Sequence, residues 1–112
     1  MNVMYTALEM LVSLLIAGDC GVVARVTRND RLSELELEAA IIQHGRTLAP
    51  IPYEELMRSD VSAIRDREYP TFHVVIDLWT LEEGRSDLSL ELELIDRYGG
   101  AYEIRILDLH VL

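Results

Sequence analysis

The sequence is poor in several residue types, and each shortage excludes a class of structure or partner. It has no lysine, one cysteine, one tryptophan and one phenylalanine in 112 residues. The single Cys20 cannot form an internal disulfide or a paired-thiol zinc site, so we expect a reducing, cytoplasmic setting. Ten arginines face twenty acidic residues, a formal net charge of −10. This balance argues against binding to a nucleic-acid backbone and favours a basic protein partner.

Long apolar runs are also scarce. The first apolar stretch, "MNVMYTALEMLVSLLIAG", has no basic residue, carries Glu9 in its middle and is short for a bilayer crossing. Its apolar residues follow helical spacing over Val3–Ile16, which predicts a buried helix and no membrane span. The length suits one compact domain, residues 1–112.

Two further helices are predicted. Asp19 can cap a short helix that ends near Val26. For the third, Ser33 and Glu36 form a capping box, Leu32 and Leu37 are placed for a hydrophobic staple, and Gly45 stops the helix. The apolar face predicted for this helix comprises Leu35, Leu37, Ala39, Ala40, Ile41 and Ile42. Pro50 and Pro52 then force extended backbone and end the helical half.

The second half alternates with a period of two, as strands do. A short edge strand is expected at 61–64, followed by longer ones in "TFHVVIDLW", "LSLELELI" and "AYEIRILDLHVL". The inward positions of the middle strand are Leu88, Leu90, Leu92 and Leu94. A loop at 98–100 places Glu93 opposite Arg105 on the last strand. On the strand before, His73 is expected on the outer face opposite Glu93. After Ile106 the apolar phase changes, which indicates a β-bulge, strong curvature or a strand covered on both faces.

These elements predict an α+β fold with three N-terminal helices packed on a curved antiparallel sheet of three to four strands. That is the layout of the cone-shaped, nuclear-transport-factor-2-like fold.

The segment "TLEEGRSD" is interpreted as the connection between two strands, from Thr80 to Asp87. The simplest interpretation is a solvated, self-neutralising loop. The functional one is a protein-binding surface that includes Trp79 and Arg85, residue types enriched among interface anchors. Ser86 has no histidine beside it in sequence, so no nucleophile–base pair is evident. The candidate protein-binding residues are Trp79, Glu82, Glu83, Arg85, Asp87, Glu91 and Glu93.

An enzymatic alternative rests on Asp108 and His110, two residues apart on the last strand. If no bulge intervened, both would face the cavity of a cone fold beside Tyr102, as a general acid–base pair. His44, at a helix C-terminus, needs only the helix dipole to explain it. The three histidines lack the spacing of metal ligands, so no metal and no cofactor is expected.

The segments "HGRTLAPIP", "DLWTLEEGRSDLSLELEL" and "LDLHVL" resemble a family of small uncharacterised bacterial proteins. Its pattern is Leu-Trp-Thr, then Glu-Glu-Gly-Arg-Ser-Asp-Leu, and a closing Asp-Leu-His. The layout is also similar to small cone-fold immunity proteins of bacterial toxin systems. The resemblance implies an acidic antagonist that covers a toxin surface.

We therefore expect a non-enzymatic, acidic protein-binding domain, in its most concrete form an immunity protein against a basic toxin. The alternative is a cone-fold ligand-binding protein or enzyme that uses Asp108 and His110. A homodimer through the outer face of the sheet is compatible with either.

Overall fold

The computed structural model describes residues 3–27 and 33–111. The helices are α1 Val3–Ile16, α2 Cys20–Val26, α3 Glu34–His44 and α4 Tyr53–Met57; the strands are β1 Leu48–Ala49, β2 Asp60–Ile64, β3 Thr71–Thr80, β4 Gly84–Asp96 and β5 Tyr102–Val111. The α+β class and the three N-terminal helices are confirmed. The short helix α4 and the two-residue strand β1 were not predicted. Over these two ranges no helix combines the length and apolar character needed to cross a membrane.

Helix α3 begins and ends where its caps predict. The Glu36 amide donates to Ser33 Oγ and the Ser33 amide donates to Glu36 Oε1, each over 3.2 Å. Gly45 ends the helix in the left-handed conformation, with φ of 71°. The predicted staple partner Leu32 lies outside the described residues.

The predicted apolar face of α3 is half wrong. Leu37 is fully buried, and Ala40 and Ile41 pack against the core. Leu35 and Ile42, however, are 75% and 76% exposed. This helix carries apolar side chains on two of its faces. Only the face with Leu37 packs towards the sheet, and the face with Leu35 and Ile42 is left exposed. Because positions three, four and seven apart share a helix face, the buried stripe continues from Leu37 to His44.

The sheet is open and antiparallel, in the order β1-β3-β4-β5, with β2 paired to the first half of β3. One face of β3 to β5 packs under the helices, and the four predicted inward leucines of β4 are each at most 1% exposed. They share a core with residues from α1, α2 and α3, among them Leu8, Leu11, Leu15, Val23 and Leu37. We call the opposite face of β3 to β5 the outer face.

The pairings of Glu93 with both neighbouring strands agree with the prediction. Glu93 lies opposite Arg105, and His73 on β3 lies opposite Glu93. Glu91 pairs with Asp108 while Leu92 pairs with Ile106, so Leu107 is an extra residue on β5. Of the three explanations for the phase change, the β-bulge is confirmed.

The β3–β4 connection is much shorter than predicted. Thr80 pairs with Gly84, and only Leu81, Glu82 and Glu83 form the turn. Gly84 has φ of 75°, which a side chain would resist, and this allows the chain to re-enter the sheet at once. Residues 85–87 are therefore part of β4, and a second irregularity lies between the Trp79 and Asp77 pairings.

Candidate functional site at the β3–β4 hairpin

On the outer face, Trp79 and Arg85 lie directly opposite each other on β3 and β4. Arg85 donates from Nε and Nη2 to Asp77 Oδ2, over 3.0 and 2.8 Å. The indole lies against the turn, since a Cβ added to Gly84 would be 3.6 Å from its Cζ3. Trp79 is therefore half-buried rather than fully exposed, and it does not lie beneath the helices.

An open groove of about 370 Å³ runs beside Trp79. Its lining residues come from the end of α4, the start of β2 and the outer face of β3 and β4: Glu55, Arg58, Ser59, Asp60, Val75, Ile76, Asp77, Trp79 and Arg85. Three carboxylates and two guanidinium groups thus surround one aromatic wall. We call this feature the Trp79 groove.

On the other side of the hairpin, a polar cluster joins the end of α3 to the turn. His44 Nε2 lies 3.0 Å from Ser86 Oγ and 3.3 Å from Glu83 Oε1. Ser86 Oγ also lies 3.3 Å from Glu83 Oε1. Thr80 Oγ1 donates to the same carboxylate oxygen over 3.2 Å, and Arg46 Nε lies 3.8 Å from it.

Sequence reasoning missed this cluster because its members are about forty residues apart. Ser86 does have a histidine neighbour, and it is His44. The signal was available: His44 follows Leu37 by two helical turns, so it lies on the stripe that faces the sheet. The helix dipole accounts for a histidine at the C-terminus of α3, but it does not account for the contacts of His44 with Ser86 and Glu83.

The cluster is not arranged for nucleophilic catalysis. In a working triad the acid orients the imidazole from the nitrogen that the nucleophile does not use. Here Glu83 and Ser86 both approach Nε2. Ser86 is only 4% exposed, and its hydroxyl oxygen accepts a hydrogen bond from the Leu88 amide over 3.1 Å. The serine supports the turn and is not presented to a substrate.

Glu82 ties the hairpin to the strand before it. Its carboxylate accepts hydrogen bonds from the amide and the hydroxyl of Thr47, each over 2.9 Å. These bonds lower the pKa of Glu82. Glu82 and Glu83 are therefore engaged within the molecule, towards α3 and β1, while Asp87 is exposed.

The predicted contact residues on the middle of the outer face are also paired. Glu91 Oε1 lies 2.8 Å from His73 Nε2. Glu93 accepts a hydrogen bond from Arg67 Nη2 over 3.0 Å and is only 5% exposed. Glu93 is thus a poor contact residue, because its side chain is buried and bound to Arg67. The seven predicted residues do not form one patch: Trp79 and Arg85 share the groove, and the glutamates lie elsewhere or are internally bound.

In the enzymatic alternative, Asp108 and His110 lie close together on the outer face, and Tyr102 lies apart from them. The bulge at Leu107 places Asp108 and His110 on the outer face, opposite Glu91 and Ser89. Asp108 Oδ2 lies 2.9 Å from His110 Nδ1, although that nitrogen has no hydrogen bond of acceptable geometry.

Tyr102 begins the same strand and packs edge-on against Phe72, with ring centroids 6.2 Å apart. It is eight residues from His110, or about 26 Å along an extended strand. His110 borders an open groove of about 480 Å³ at the end of α3, which neither Asp108 nor Tyr102 lines. This distance along β5 keeps Tyr102 away from the other two residues, and the bulge turns Asp108 and His110 to the outer face.

Cys20 is buried at the start of α2. Burial raises the pKa of its thiol, and the nearby carboxylates of Glu38, Glu34 and Asp19 raise it further. A raised pKa disfavours the reactive thiolate, so Cys20 packs as a small apolar residue.

Comparison with known proteins gives one match. A model of a protein family described as a domain of unknown function, DUF7668, matches residues 12–112. Neither the curated proteins nor the solved structures contain a match to the chain. The matched range spans all of the sheet and most of the helical layer, including both sides of the β3–β4 hairpin. The chain therefore belongs to the DUF7668 family.

Proposed function

We propose that this domain binds a basic segment of a partner protein in the Trp79 groove. The observation that carries the proposal is a single half-buried tryptophan forming one wall of an open groove whose rim holds three carboxylates. Tryptophan is among the commonest anchors of protein interfaces, because one rigid side chain supplies a large contact area.

The groove suits binding better than chemistry. Its lining residues include neither histidine nor cysteine. The hydroxyl of Ser59 donates to the Leu56 carbonyl over 2.7 Å, which leaves it no role as a nucleophile. Asp77 holds the Arg85 guanidinium through two hydrogen bonds, so this group is already ordered next to the indole. A preorganised surface loses less side-chain entropy on binding.

Electrostatics favour a basic occupant. The groove itself is nearly neutral, with three acidic and two basic side chains, but the whole chain carries −10. The field of the whole molecule would accelerate encounter with a basic partner. Within the groove, Arg85 binds Asp77 and Arg58 lies 3.7 Å from Glu55, so Asp60 would be the main carboxylate that contacts such a partner.

A toxin-neutralising role in the bacterial cytoplasm is the specific form of this proposal. Its support is the acidity of the chain and the resemblance of the helix and strand order predicted from the sequence to that of small cone-fold immunity proteins. Such an antagonist needs only a stable surface complementary to the toxin, and no reacting group.

Trp79 is the only tryptophan in the chain, so its fluorescence reports directly on the groove. The probes are short peptides rich in arginine and lysine, with acidic peptides of the same length as a comparison. We expect a saturable fluorescence change with basic peptides only, weakening as salt is added. Asp60→Asn should weaken binding severalfold. Glu36→Gln removes the same charge at an exposed position of α3, away from the groove, and should leave binding almost unchanged.

Binding that is equal for basic and acidic peptides, or equally weakened by Glu36→Gln, would contradict the proposal. Co-expression with a toxin encoded beside the gene tests the specific form: protection should be lost with Trp79→Ala and kept with Tyr98→Ala. Sedimentation of Trp79→Glu tests a second copy of the chain as the occupant. If a dimer of the unmutated protein dissociates in this variant, the groove binds itself and not a basic partner.

A further inference from the structure

The cluster beside the hairpin has the composition of a metal site. His44, Glu83 and Asp87 each offer one ligand atom, and these atoms all lie within 4.8 Å of one another. The residues come from the end of α3, from the β3–β4 turn and from the start of β4. The fold alone brings them together, and the sequence shows no motif for it.

The hydrogen bonds around the cluster are compatible with a bound cation. A neutral imidazole carries one proton, and in the tautomer with that proton on Nδ1 the Nε2 nitrogen of His44 presents a lone pair 3.3 Å from Glu83 Oε1. The same Glu83 oxygen accepts from Thr80 Oγ1 and lies 3.3 Å from Ser86 Oγ. A positive ion between Nε2 and the carboxylate would bind the two lone pairs that face each other in this tautomer.

The separation of His44 Nε2 and Glu83 Oε1 suits zinc. Zinc binds histidine nitrogen and carboxylate oxygen at about 2.0 to 2.2 Å, and tetrahedral geometry then separates two such ligand atoms by about 3.3 to 3.5 Å. His44 Nε2 and Glu83 Oε1 already have this separation. The His44 side chain is 9% exposed, so its ring is held in place, while Glu83 and Asp87 are open to solvent and a water can complete the coordination.

We propose that His44, Glu83 and Asp87 form a binding site for a divalent transition-metal ion of the zinc class. Ser86 acts as a positioning residue, since it holds both the imidazole and the Glu83 carboxylate. The site lies on the opposite side of the hairpin from the Trp79 groove, and it does not depend on the function proposed for that groove.

Arg46 provides a test that a purely structural cluster would not pass. Its guanidinium lies 3.8 Å from the Glu83 oxygen and competes with a metal for the carboxylate. Arg46→Gln should therefore tighten metal binding severalfold. If the cluster bound no metal, this variant would lose the Arg46–Glu83 ion pair and would show no gain in metal affinity.

The experiment is a calorimetric titration of the metal-free full chain with Zn²⁺, repeated with Co²⁺, whose visible absorption reports tetrahedral coordination. We expect one site, with binding weakened at least about tenfold by His44→Gln and also weakened by Asp87→Asn. Asp87 is exposed, so its variant remains informative if His44→Gln fails to fold. His73→Gln is the matched control, because His73 also lies beside a carboxylate, 2.8 Å from Glu91.

Three results would overturn the proposal. The first is a dissociation constant for Zn²⁺ weaker than about 1 mM in the unmutated chain. The second is an equal loss in His73→Gln, which would indicate scattered surface binding. The third is weaker rather than tighter binding in Arg46→Gln.

Discussion

Replacement of Leu37 by alanine tests how α3 is docked, and with it the position of His44. Leu37 is 0% exposed and packs in the apolar cluster under β3 to β5. Alanine in its place removes Cγ and both Cδ atoms. At about 0.8 kcal/mol for each buried carbon, the lost transfer free energy is about 2.4 kcal/mol. The cavity left in a packed core adds to this, for a total of about 3 to 4 kcal/mol.

Leu35→Ala is the matched control, since it makes the same chemical change two residues away in the same helix. Leu35 is 75% exposed, and alanine is the better helix former. We expect its free energy of unfolding to change by less than about 0.5 kcal/mol. Urea denaturation followed by far-ultraviolet circular dichroism measures the free energy of unfolding of both variants. The slope of this free energy against urea concentration should be the same in both, as two-state unfolding requires. Similar losses in the two variants, or a larger loss in Leu35→Ala, would refute the docking of α3 and the placement of His44 near Glu83.

Two other predictions concern the hairpins. Because the folded-state pKa of Glu82 is lowered, its contribution to stability is full above its ordinary value of 4.5 and is lost as the pH falls through the lowered value. Glu82→Gln should flatten the acid side of the stability–pH curve, and an unchanged slope would contradict the bonds from Thr47. Gly100 has φ of 86° and Gly99 does not have a positive φ, although neither has an atom within 4 Å of an added Cβ. Thermal unfolding should therefore show Gly100→Ala destabilised by about 1 kcal/mol and Gly99→Ala near neutral; equal effects would contradict the turn conformation.

Local patterns predicted local structure well. The capping box and Gly45 located α3 because each cap satisfies backbone groups within a few residues. Strict alternation identified the inward leucines of β4, since a slip of one residue would expose all of them. The two glycines and the Glu93–Arg105 pair gave the β4–β5 register, and the phase change after Ile106 included the bulge among its explanations.

The predictions that failed depended on contacts between distant segments. The sequence around Gly84 is compatible with a long loop and with a tight turn. The structure has the tight turn, because Thr80 pairs with Gly84 across the two strands. The exposure of Leu35 and Ile42 followed from how α3 is rotated against the sheet, which its nearly all-round apolar sequence does not specify. Glu93 alternates outward like Glu91, yet Arg67, from a segment with no recognisable pattern, pairs with it.

The sequence by itself determined the class of fold, the acidic charge and the two periodicities, because these depend on composition and on neighbours a few residues away. Only the tertiary structure decided which polar side chains meet. Through one extra residue at the bulge, it turned Asp108 and His110 to the outer face, whereas Tyr102 packs against the core at the other end of the same strand. It also brought His44 within hydrogen-bond distance of Ser86, because α3 packs against α2 and β5 on the side that carries Leu37 and ends beside the β3–β4 hairpin.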